Sequence, residues 1–340
     1  MDKDQAGNVD VTVVVVPRDH FRYATHSLLS LYNNADRPFE LIYVDGGSPP
    51  KTAKFIKQHS TEKRFRLLRT EHYLSPNAAK NLSLPYLKTK YVVFVDNDVF
   101  FNKDWLGPLV ACAEETGAAV VTPLVLESFD RPGDEHVHYA GGTCHISEAD
   151  GHRVLAYAMH HACEDARTVA AEIKRGPTEY TEYHCCLVRR SVLDHLGPFD
   201  SGMLCSHEHV DFCLSVARAG EHIYLEPASV VTFINGLWLD WADIRYYCFR
   251  WNDTWESATL NHLRDKWNLA GDKYFNKRLQ NLGWRRRELV LRYCRFLTRR
   301  FRIPPLERWL VRTEKAVNRY YTERYLARHP LTQRGHFISD

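Results

Sequence analysis

The chain has 340 residues, of which 44% are hydrophobic, 12% aromatic and 26% charged. This composition is typical of a globular protein and excludes a mainly disordered, collagen-like or low-complexity chain. The longest early apolar run, Val11 to Val16, is far shorter than the roughly 20 residues that span a bilayer. Because the N-terminus is polar and acidic rather than a secretory signal, we expect a cytoplasmic protein, with peripheral contact to the inner face of a membrane left open.

Several enzyme classes are excluded by motifs that the sequence lacks. It contains no GxxxxGK[ST], no GxGxxG after the first strand, no GxSxG and no HExxH. These absences argue against P-loop nucleotide hydrolases, standard NAD enzymes, esterases and zincins. The nine cysteines include no CxxC pair, so we expect free, mostly buried thiols rather than a zinc ribbon or a disulfide framework.

Predicted strands and helices alternate through the N-terminal third. The β-branched run Val11–Val16 indicates a strand buried on both faces of a parallel sheet. Further strands are predicted at 39–44, 65–68, 91–95 and 118–125, with helices at 25–34, 52–59, 77–82 and 105–115. This alternation predicts an α/β fold with a Rossmann-like, mostly parallel sheet flanked by helices. Ligands of such sheets bind beyond the carboxyl ends of the strands.

Polar residues follow the predicted strands at this edge. Asp96 and Asp98 come directly after the buried run VVFV, and Asp45 follows the second strand. Residues i and i+2 of an extended chain point the same way, so the Asp96 and Asp98 carboxylates can face one ligand. Adjacent carboxylates repel unless a cation binds them, and oxygen ligands suit Mg²⁺ or Mn²⁺. Asp45 alone is equally typical of an ordinary turn.

With these residues the chain resembles the glycosyltransferase family 2 proteins, which have the GT-A fold. The resemblance covers about residues 10–235 and rests on motifs in the family's order: VTVVVVPRD, THSLLSLYNN, ELIYVDGGSP, NAAKN, VVFVDND, CCLVRRSVLDHLGPFD and HEHVDFCLSVARAG. It implies a catalytic domain over 1–235, with a nucleotide-sugar half at about 10–125 and an acceptor half at 126–235. Residues 236–280 are an aromatic-rich segment expected to pack on this core, and 281–340 a basic amphipathic helical extension.

The resemblance also implies roles for individual residues. Pro17 and Arg18 correspond to residues that line the nucleoside pocket, and Asp45 to the residue that holds the base, most often uracil. The position of the family's Asn/Arg-Asn cluster, which contacts the nucleotide, is occupied by Asn77, Lys80 and Asn81.

The same resemblance assigns the predicted metal site. Asp96 corresponds to the ribose-side acid of a DxD motif, Asn97 lies between the acids, and Asp98 corresponds to the direct ligand of Mn²⁺ or Mg²⁺. Bound there, the metal neutralises the leaving nucleoside diphosphate. Family members often have a histidine after the last core strand, but residues 226–235 contain none. This departure puts a strict metal requirement in doubt.

The catalytic base is a second departure from the family pattern. The family often has Glu-Asp followed two residues later by Asp, whereas this chain has His209 where the second acid would stand. Ser206 is the predicted N-cap of a helix that ends near Gly220, so Glu208 and Asp211 lie on its first turn. We rank Glu208 first as the base, then Asp211 and His209. Acids that interact favourably with the helix dipole would explain one of the two without catalysis.

Two further segments leave alternatives open. Residues 127–180 contain six histidines, at 136, 138, 145, 152, 160 and 161. A metal cluster is one interpretation, but a polar insertion on the acceptor side is preferred because no ligand-pair spacing appears. Most of the tryptophans and tyrosines in 236–269 are expected in the core, and a few of them on a sugar.

The C-terminal segment 281–330 carries 14 Lys/Arg against 4 Asp/Glu, a net charge of +10, which leaves −7 for the rest of a chain with net charge +3. A helix is predicted over 285–302, with one apolar face made of residues 289, 293, 296, 297 and 301, and a second helix beyond Pro304-Pro305. An anionic membrane surface, packing within the chain or in a homodimer, and, least favoured, a nucleic acid are the alternative partners.

Together these inferences predict an inverting, metal-assisted glycosyltransferase that uses a nucleotide-diphospho-sugar, expected to be a UDP-sugar. The acceptor hydroxyl would belong to a glycan, a lipid-linked saccharide or a small molecule. The alternatives are a non-catalytic nucleotide-sugar or glycan-binding protein and, less favoured, a nucleotidyltransferase.

Overall fold

A computed structural model describes residues 9–18, 20–128, 135–235, 239–298 and 302–328. The strands are β1 (Val11–Val16), β2 (Glu40–Gly46), β3 (Arg66–Thr70), β4 (Tyr91–Asp96), β5 (Val99–Phe101), β6 (Val120–Ser128), β7 (Glu135–Tyr139), β8 (Gly142–Ala149), β9 (His152–Met159), β10 (Gly176–Thr178), β11 (Cys185–Arg189) and β12 (Ile223–Ile234). The α-helices are α1 (Ala24–Asn33), α2 (Pro50–Lys63), α3 (Pro76–Ser83), α4 (Leu106–Thr116), α5 (Ala166–Val169), α6 (Arg190–Leu196), α7 (Glu208–Arg218), α8 (Trp241–Arg250), α9 (Asp253–Lys266), α10 (Lys273–Gln280), α11 (Trp284–Leu297) and α12 (Pro304–Arg328).

The centre of the molecule is a ten-stranded, mostly parallel sheet in the order β10-β12-β6-β11-β4-β1-β2-β3, with β5 on β12 and β7 on β6. Strands β3, β2, β1 and β4 are parallel to one another, as are β6 and β12. The valines of β1 are at most 2% exposed. Each one contributes about 1.5–3 kcal/mol through burial, which explains why this strand lies in the middle of the sheet. The predicted α/β fold is confirmed.

One antiparallel strand determines what lies beside the end of β4. Strand β11 runs between β4 and β6, and its Cys185 is paired with Val95. His184 therefore lies opposite Asp96, and the Asp96 amide donates to the His184 carbonyl at 3.4 Å. The parallel neighbour β1 pairs Val16 with Asp96. The residues that end β1 and β4 and those that precede β11 thus meet at one edge.

The ends of three helices, α7, α11 and α12, differ from the sequence predictions. The prediction that Ser206 is the N-cap of α7 is wrong. His207 occupies that position with a left-handed backbone, φ 59°, and no side chain caps the helix. The first C-terminal helix ends at Leu297 rather than at 302, and Pro304 and Pro305 form the first turn of α12, where a missing amide donor costs nothing. Phe301, predicted on the apolar face, lies outside the described residues, as does Trp238 of the aromatic segment.

The aromatic segment and the C-terminal helices pack against the sheet region and one another. Trp255 is 1% exposed and contacts Tyr73 and Phe249. The Tyr325 hydroxyl of α12 accepts from the Tyr73 amide at 2.8 Å. Packing within the chain therefore accounts for part of the basic extension. No described helix is long and apolar enough to cross a membrane.

Candidate active site

A cavity of about 760 Å³ lies at the carboxyl ends of β1 and β4, and α7, α8, α10 and α11 contribute further walls. The predicted site residues that line it are Arg18, Asp96, Asp98, Glu208 and His209. They come from three separate segments of the chain. They meet because β1 and β4 are parallel neighbours that end at the same edge of the sheet, beside the start of α7, as expected for a ligand site in a parallel sheet.

Arg18 is the central cation of this site. It is 5% exposed, its Nε lies 2.7 Å from Asp96 Oδ2, and its Nη1 donates to Glu208 Oε1 at 2.8 Å. The Arg18 backbone amide donates to Asn97 Oδ1 at 2.8 Å, so Asn97 anchors the segment that follows β1. Arginine suits this position because its planar guanidinium can engage two carboxylates at once.

The two aspartates keep oxygen atoms unused within the described protein. Asp96 Oδ1 and Asp98 Oδ1 are buried, and neither accepts a hydrogen bond from a described residue. Each second oxygen has a histidine beside it, with Asp98 Oδ2 at 3.2 Å from His20 Nδ1 and Asp96 Oδ2 at 3.0 Å from His184 Nδ1. Burial opposes ionisation of Asp96, but Arg18 and His184 lower the pKa of its carboxyl. Two carboxylates with free oxygens beside a cavity fit the chemistry of a Mg²⁺ or Mn²⁺ site.

The three candidates for the base have different surroundings. Glu208 is 2% exposed and lines the cavity, and its Oε2 has no hydrogen-bond partner among the described residues. Burial would raise the pKa of Glu208, but Arg18, Lys80 and His209 lower it to about 2, so the carboxylate is ionised. Asp211 instead accepts from Trp267 Nε1 and Lys266 Nζ at 2.8 and 2.9 Å, which ties α7 to the end of α9. Burial lowers the pKa of His209, so this imidazole is neutral.

The residues predicted to contact the nucleotide are used inside the protein. Both oxygens of Asp45 accept hydrogen bonds, from Ser48 and Arg69. Asn77 and Asn81 donate to the backbone carbonyls of Asp200 and Phe199, each at 2.8 Å. None of these three lines the cavity in this conformation.

Pro17 and Lys80 lie close to the site without lining the cavity. Pro17 packs on β2, where a Cβ added to Gly46 would come 3.0 Å from the proline Cγ. Lys80 is fully buried with its Nζ 3.5 Å from the centre of the Tyr183 ring. Burial lowers the pKa of Lys80 to about 7.

The sequence reasoning missed a group of residues beside Asp96. His184 Nε2 lies 3.1 Å and His138 Nε2 3.6 Å from the same oxygen, Oε2 of Glu182. Burial would lower the pKa of His138, but Glu127 and Glu182 raise it to about 9. The preferred interpretation of residues 127–180 did not single out His138. The signal that could have found the others is the spacing of Glu182 and His184, two residues apart and directly before a strand.

The mostly parallel sheet flanked by helices, with a cavity at the carboxyl ends of β1 and β4, is an α/β fold of the GT-A type. The glycosyl transferase family 2 model matches residues 12–197, more than half of the chain, and the protein belongs to this family. It is 26% identical over 226 residues to the pre-mycofactocin glycosyltransferase of Mycobacterium tuberculosis, covering 65% of this chain and 42% of that protein. An uncharacterized glycosyltransferase of Haemophilus influenzae is 33% identical over 85 residues, covering 25% of this chain and 34% of that protein.

A solved structure shares the fold. The crystal structure of GalNAc-T7 with UDP, GalNAc and Mn²⁺ superposes with a TM-score of 0.54 at 14% identity, covering 83% of this chain and 57% of that one. The chain spans less than half the length of the mycobacterial relative it matches.

Proposed function

We propose that this protein transfers a sugar from a nucleotide-diphospho-sugar to an acceptor hydroxyl with inversion at the anomeric carbon. The observation that carries the proposal is the meeting of the free oxygens of Asp96, Asp98 and Glu208 at one cavity. The aspartate end of this arrangement suits a metal-bound diphosphate, and the glutamate end suits an acceptor hydroxyl.

Asp98 and Asp96 are the residues that would hold the metal. Their two Oδ1 atoms are buried and available, which is the donor set that Mn²⁺ and Mg²⁺ prefer. A divalent ion at this position supplies positive charge to the diphosphate as it leaves. Arg18 adds a second positive charge from the protein itself, because its guanidinium lies between the aspartate and the base.

Glu208 is the base in this proposal. Its Oε2 would accept the proton of the acceptor hydroxyl while the hydroxyl oxygen attacks the anomeric carbon and the bond to the diphosphate breaks. Because no covalent sugar–enzyme intermediate forms, the configuration is inverted once. Asp211 is held by Lys266 and Trp267 and does not line the cavity, so it is not available for this role. His209 lines the same cavity as Glu208 and is the alternative base.

A UDP-sugar is the proposed donor, supported by the family resemblance of the strand-end motifs and by the fold shared with the UDP-bound GalNAc-T7. The acceptor would enter between α10 and β9, where Tyr157 and Arg278 line the cavity. Aromatic and guanidinium groups offer stacking and hydrogen bonding to a saccharide, whether free, lipid-linked or part of a small molecule.

A donor screen tests the function. Wild-type protein would be incubated with UDP-, GDP- and dTDP-sugars and Mn²⁺ or Mg²⁺, while the released nucleoside diphosphate is followed. Asp98→Asn and Glu208→Gln serve as inactive controls. Asp211→Asn is the matched control, because it removes an acid of the same helix and should retain turnover. Proton NMR of the first sugar released should show the anomer opposite to that of the donor. A donor that raises the melting temperature without turnover would support the binding-protein alternative, and no stabilisation by any nucleotide would overturn both.

We further propose that the C-terminal end of α11 and the N-terminal end of α12 contact an anionic membrane. Four exposed apolar residues at these helix ends are here called the hairpin tip. They are Phe296 and Leu297 in α11, Ile303 just before α12 and Trp309 in α12, which are 64%, 79%, 43% and 60% exposed. Exposed arginines, among them Arg302, Arg308 and Arg312, surround the tip. Apolar side chains among cations match the interface of a bilayer with anionic lipid, where each cation contributes about 1 kcal/mol.

Vesicle sedimentation tests this contact. Wild-type protein should sediment with phosphatidylcholine vesicles only when they contain phosphatidylglycerol, and raised salt should weaken the binding. The triple variant Phe296→Ser, Leu297→Ser, Trp309→Ser should stay in solution. Trp241→Ser is the matched control, because Trp241 is 88% exposed but lies on α8. Concentration-dependent dimerisation with no vesicle binding would instead assign the tip to a homodimer.

A further inference from the structure

The chain contains a second group of metal-ligating side chains beside the aspartate pair. His138, Glu182 and His184, here called the histidine–glutamate cluster, each place one ligand atom within 4.8 Å of the other two. His138 comes from β7, and Glu182 and His184 from the segment that leads into β11. The three side chains are 19%, 14% and 8% exposed and line the cavity, so an ion could reach them from solvent.

The spacing of the ligand atoms matches a small cation. Nitrogen and oxygen atoms bound at about 2.0–2.1 Å around a tetrahedral ion lie roughly 3.4 Å from one another. The distances from Glu182 Oε2 to His184 Nε2 and to His138 Nε2 are 3.1 and 3.6 Å. Two of the three separations are therefore close to those around a bound zinc-class ion, and the third, between the two imidazole nitrogens, is within 4.8 Å.

The atoms behind the cluster are arranged as in protein metal sites. His138 Nδ1 lies 3.5 Å from Glu127 Oε2, and His184 Nδ1 lies 3.0 Å from Asp96 Oδ2. In metal sites, the ring nitrogen that does not bind the ion commonly donates to a carboxylate, which fixes the ring and its tautomer. Both imidazoles here have such a carboxylate on the far side and converge on one glutamate oxygen on the near side.

We propose that the histidine–glutamate cluster binds a first-row divalent cation of the zinc class, separate from an ion at Asp98. Imidazole nitrogens favour Zn²⁺ and its neighbours over Mg²⁺, whereas the all-oxygen aspartate pair favours Mg²⁺ or Mn²⁺. With three protein ligands the ion keeps one position open toward the cavity, where it can take a substrate oxygen or water. Asp96 connects the two sites, because it contacts His184 on one side and Arg18 on the other.

The rival explanation is that the contacts are only ion pairs between imidazolium groups and carboxylates. Ion pairing alone predicts that the cluster binds no divalent cation in the absence of nucleotide, whereas the proposal predicts that it does. A binding measurement therefore separates the two explanations. This measurement requires no turnover and no donor, and the proposal can therefore fail or succeed independently of the proposed transferase activity.

The experiment uses the full chain, stripped with a chelator and dialysed. Zn²⁺ binding would be measured by equilibrium dialysis with elemental analysis, and Co²⁺ binding by its visible absorption. We expect about one ion per chain for the wild type. His138→Ala and Glu182→Gln should lose at least about tenfold in affinity, and Glu127→Gln should lose about 10–100-fold by releasing the His138 ring. Asp98→Asn should bind as the wild type does.

Controls separate the cluster from other ligands. His145→Ala removes an imidazole on the neighbouring β8 that pairs with Glu179 and lies outside the cluster, so its binding should be unchanged. Cys163 is the exposed cysteine among the described thiols, and Cys163→Ser excludes thiolate binding. Wild-type protein that binds neither Zn²⁺ nor Co²⁺ after stripping would overturn the proposal. Binding lost in Asp98→Asn but retained in His138→Ala would also overturn it.

Discussion

Two buried arginines allow the catalytic sheet to be compared with the C-terminal extension. Arg18 lies between Asp96 and Glu208, and Arg286 lies between Asp253 and Glu314, with nitrogen–oxygen distances of 2.7–2.8 Å in both places. Arg286 also donates to the Trp251 carbonyl, so its side chain joins α8, α9, α11 and α12. Around Arg18, in contrast, carboxylate oxygens remain without a partner among the described residues and face a cavity. Similar ion pairs therefore connect helices in one region and leave carboxylate oxygens available to a ligand in the other.

The largest expected effect is on turnover and comes from the base. Glu208→Gln removes the only atom proposed to accept the acceptor proton and should lower the rate of donor turnover about 10²–10⁴-fold. Asp211→Asn, three residues away on the same helix, should change the rate less than tenfold, because its contacts are to Lys266 and Trp267. Released nucleoside diphosphate measures both. Equal losses of turnover in the two variants would contradict the assignment of Glu208, rather than Asp211, as the base.

The fold was predictable from the sequence because its signals are local. The valine run of β1 and the alternation after it identify buried strands and crossover helices without knowledge of contacts. Asp96, Asp98 and Glu208 were predictable as site candidates because each follows a recognisable motif. The histidine–glutamate cluster was not, because it depends on β11 running antiparallel beside β4, which brings His184 to Asp96 from a segment about 90 residues away. Sequence spacing likewise could not show that Asp211 faces Lys266.

The second-largest expected effect is a loss of stability when a buried ion pair of the C-terminal extension is removed. Arg286 is 2% exposed, and removal of one member of a buried ion-pair group typically costs about 3–5 kcal/mol. Arg286→Met should lower the free energy of unfolding by about this amount, measured by urea titration, and leave donor turnover per folded molecule nearly unchanged. A stable but inactive variant would mean that the extension takes part in the chemistry.

A smaller difference in stability is expected between variants of two aspartates, Asp253 and Asp98. Asp253→Asn removes one partner of Arg286 and should lower the unfolding free energy by about 1–3 kcal/mol. Asp98→Asn removes a buried carboxylate whose Oδ1 has no hydrogen-bond partner among the described residues, and it should change stability by less than about 1 kcal/mol. Residues kept for a ligand often contribute little to stability. Thermal melts of both variants without added metal test this, and a large loss for Asp98→Asn would place it with the structural ion pairs.

The smallest expected effect is a pH dependence at the start of α7. Burial, together with Arg278 and His209, lowers the pKa of His207 to about 3 from 6.5, and the Tyr274 hydroxyl lies 3.1 Å from its Nδ1. Between these two pKa values the unfolded chain binds the proton and the folded chain does not. The His207 contribution to stability is therefore complete above about pH 6.5 and is lost as the pH falls toward about 3.

His207→Asn tests this directly, because asparagine tolerates the left-handed backbone of this position. Urea unfolding at about pH 7.5 and about pH 5.5 should show a larger loss of stability on acidification in the wild type than in the variant. The difference between the two proteins isolates His207 from His138, whose raised pKa gives a contribution of the opposite sign that is lost as the pH rises through about 9. His152→Asn, an exposed histidine on β9, should behave as the wild type does. Parallel pH profiles for wild type and His207→Asn would mean that the His207 imidazole is protonated in the folded chain as well, and would overturn the lowered pKa.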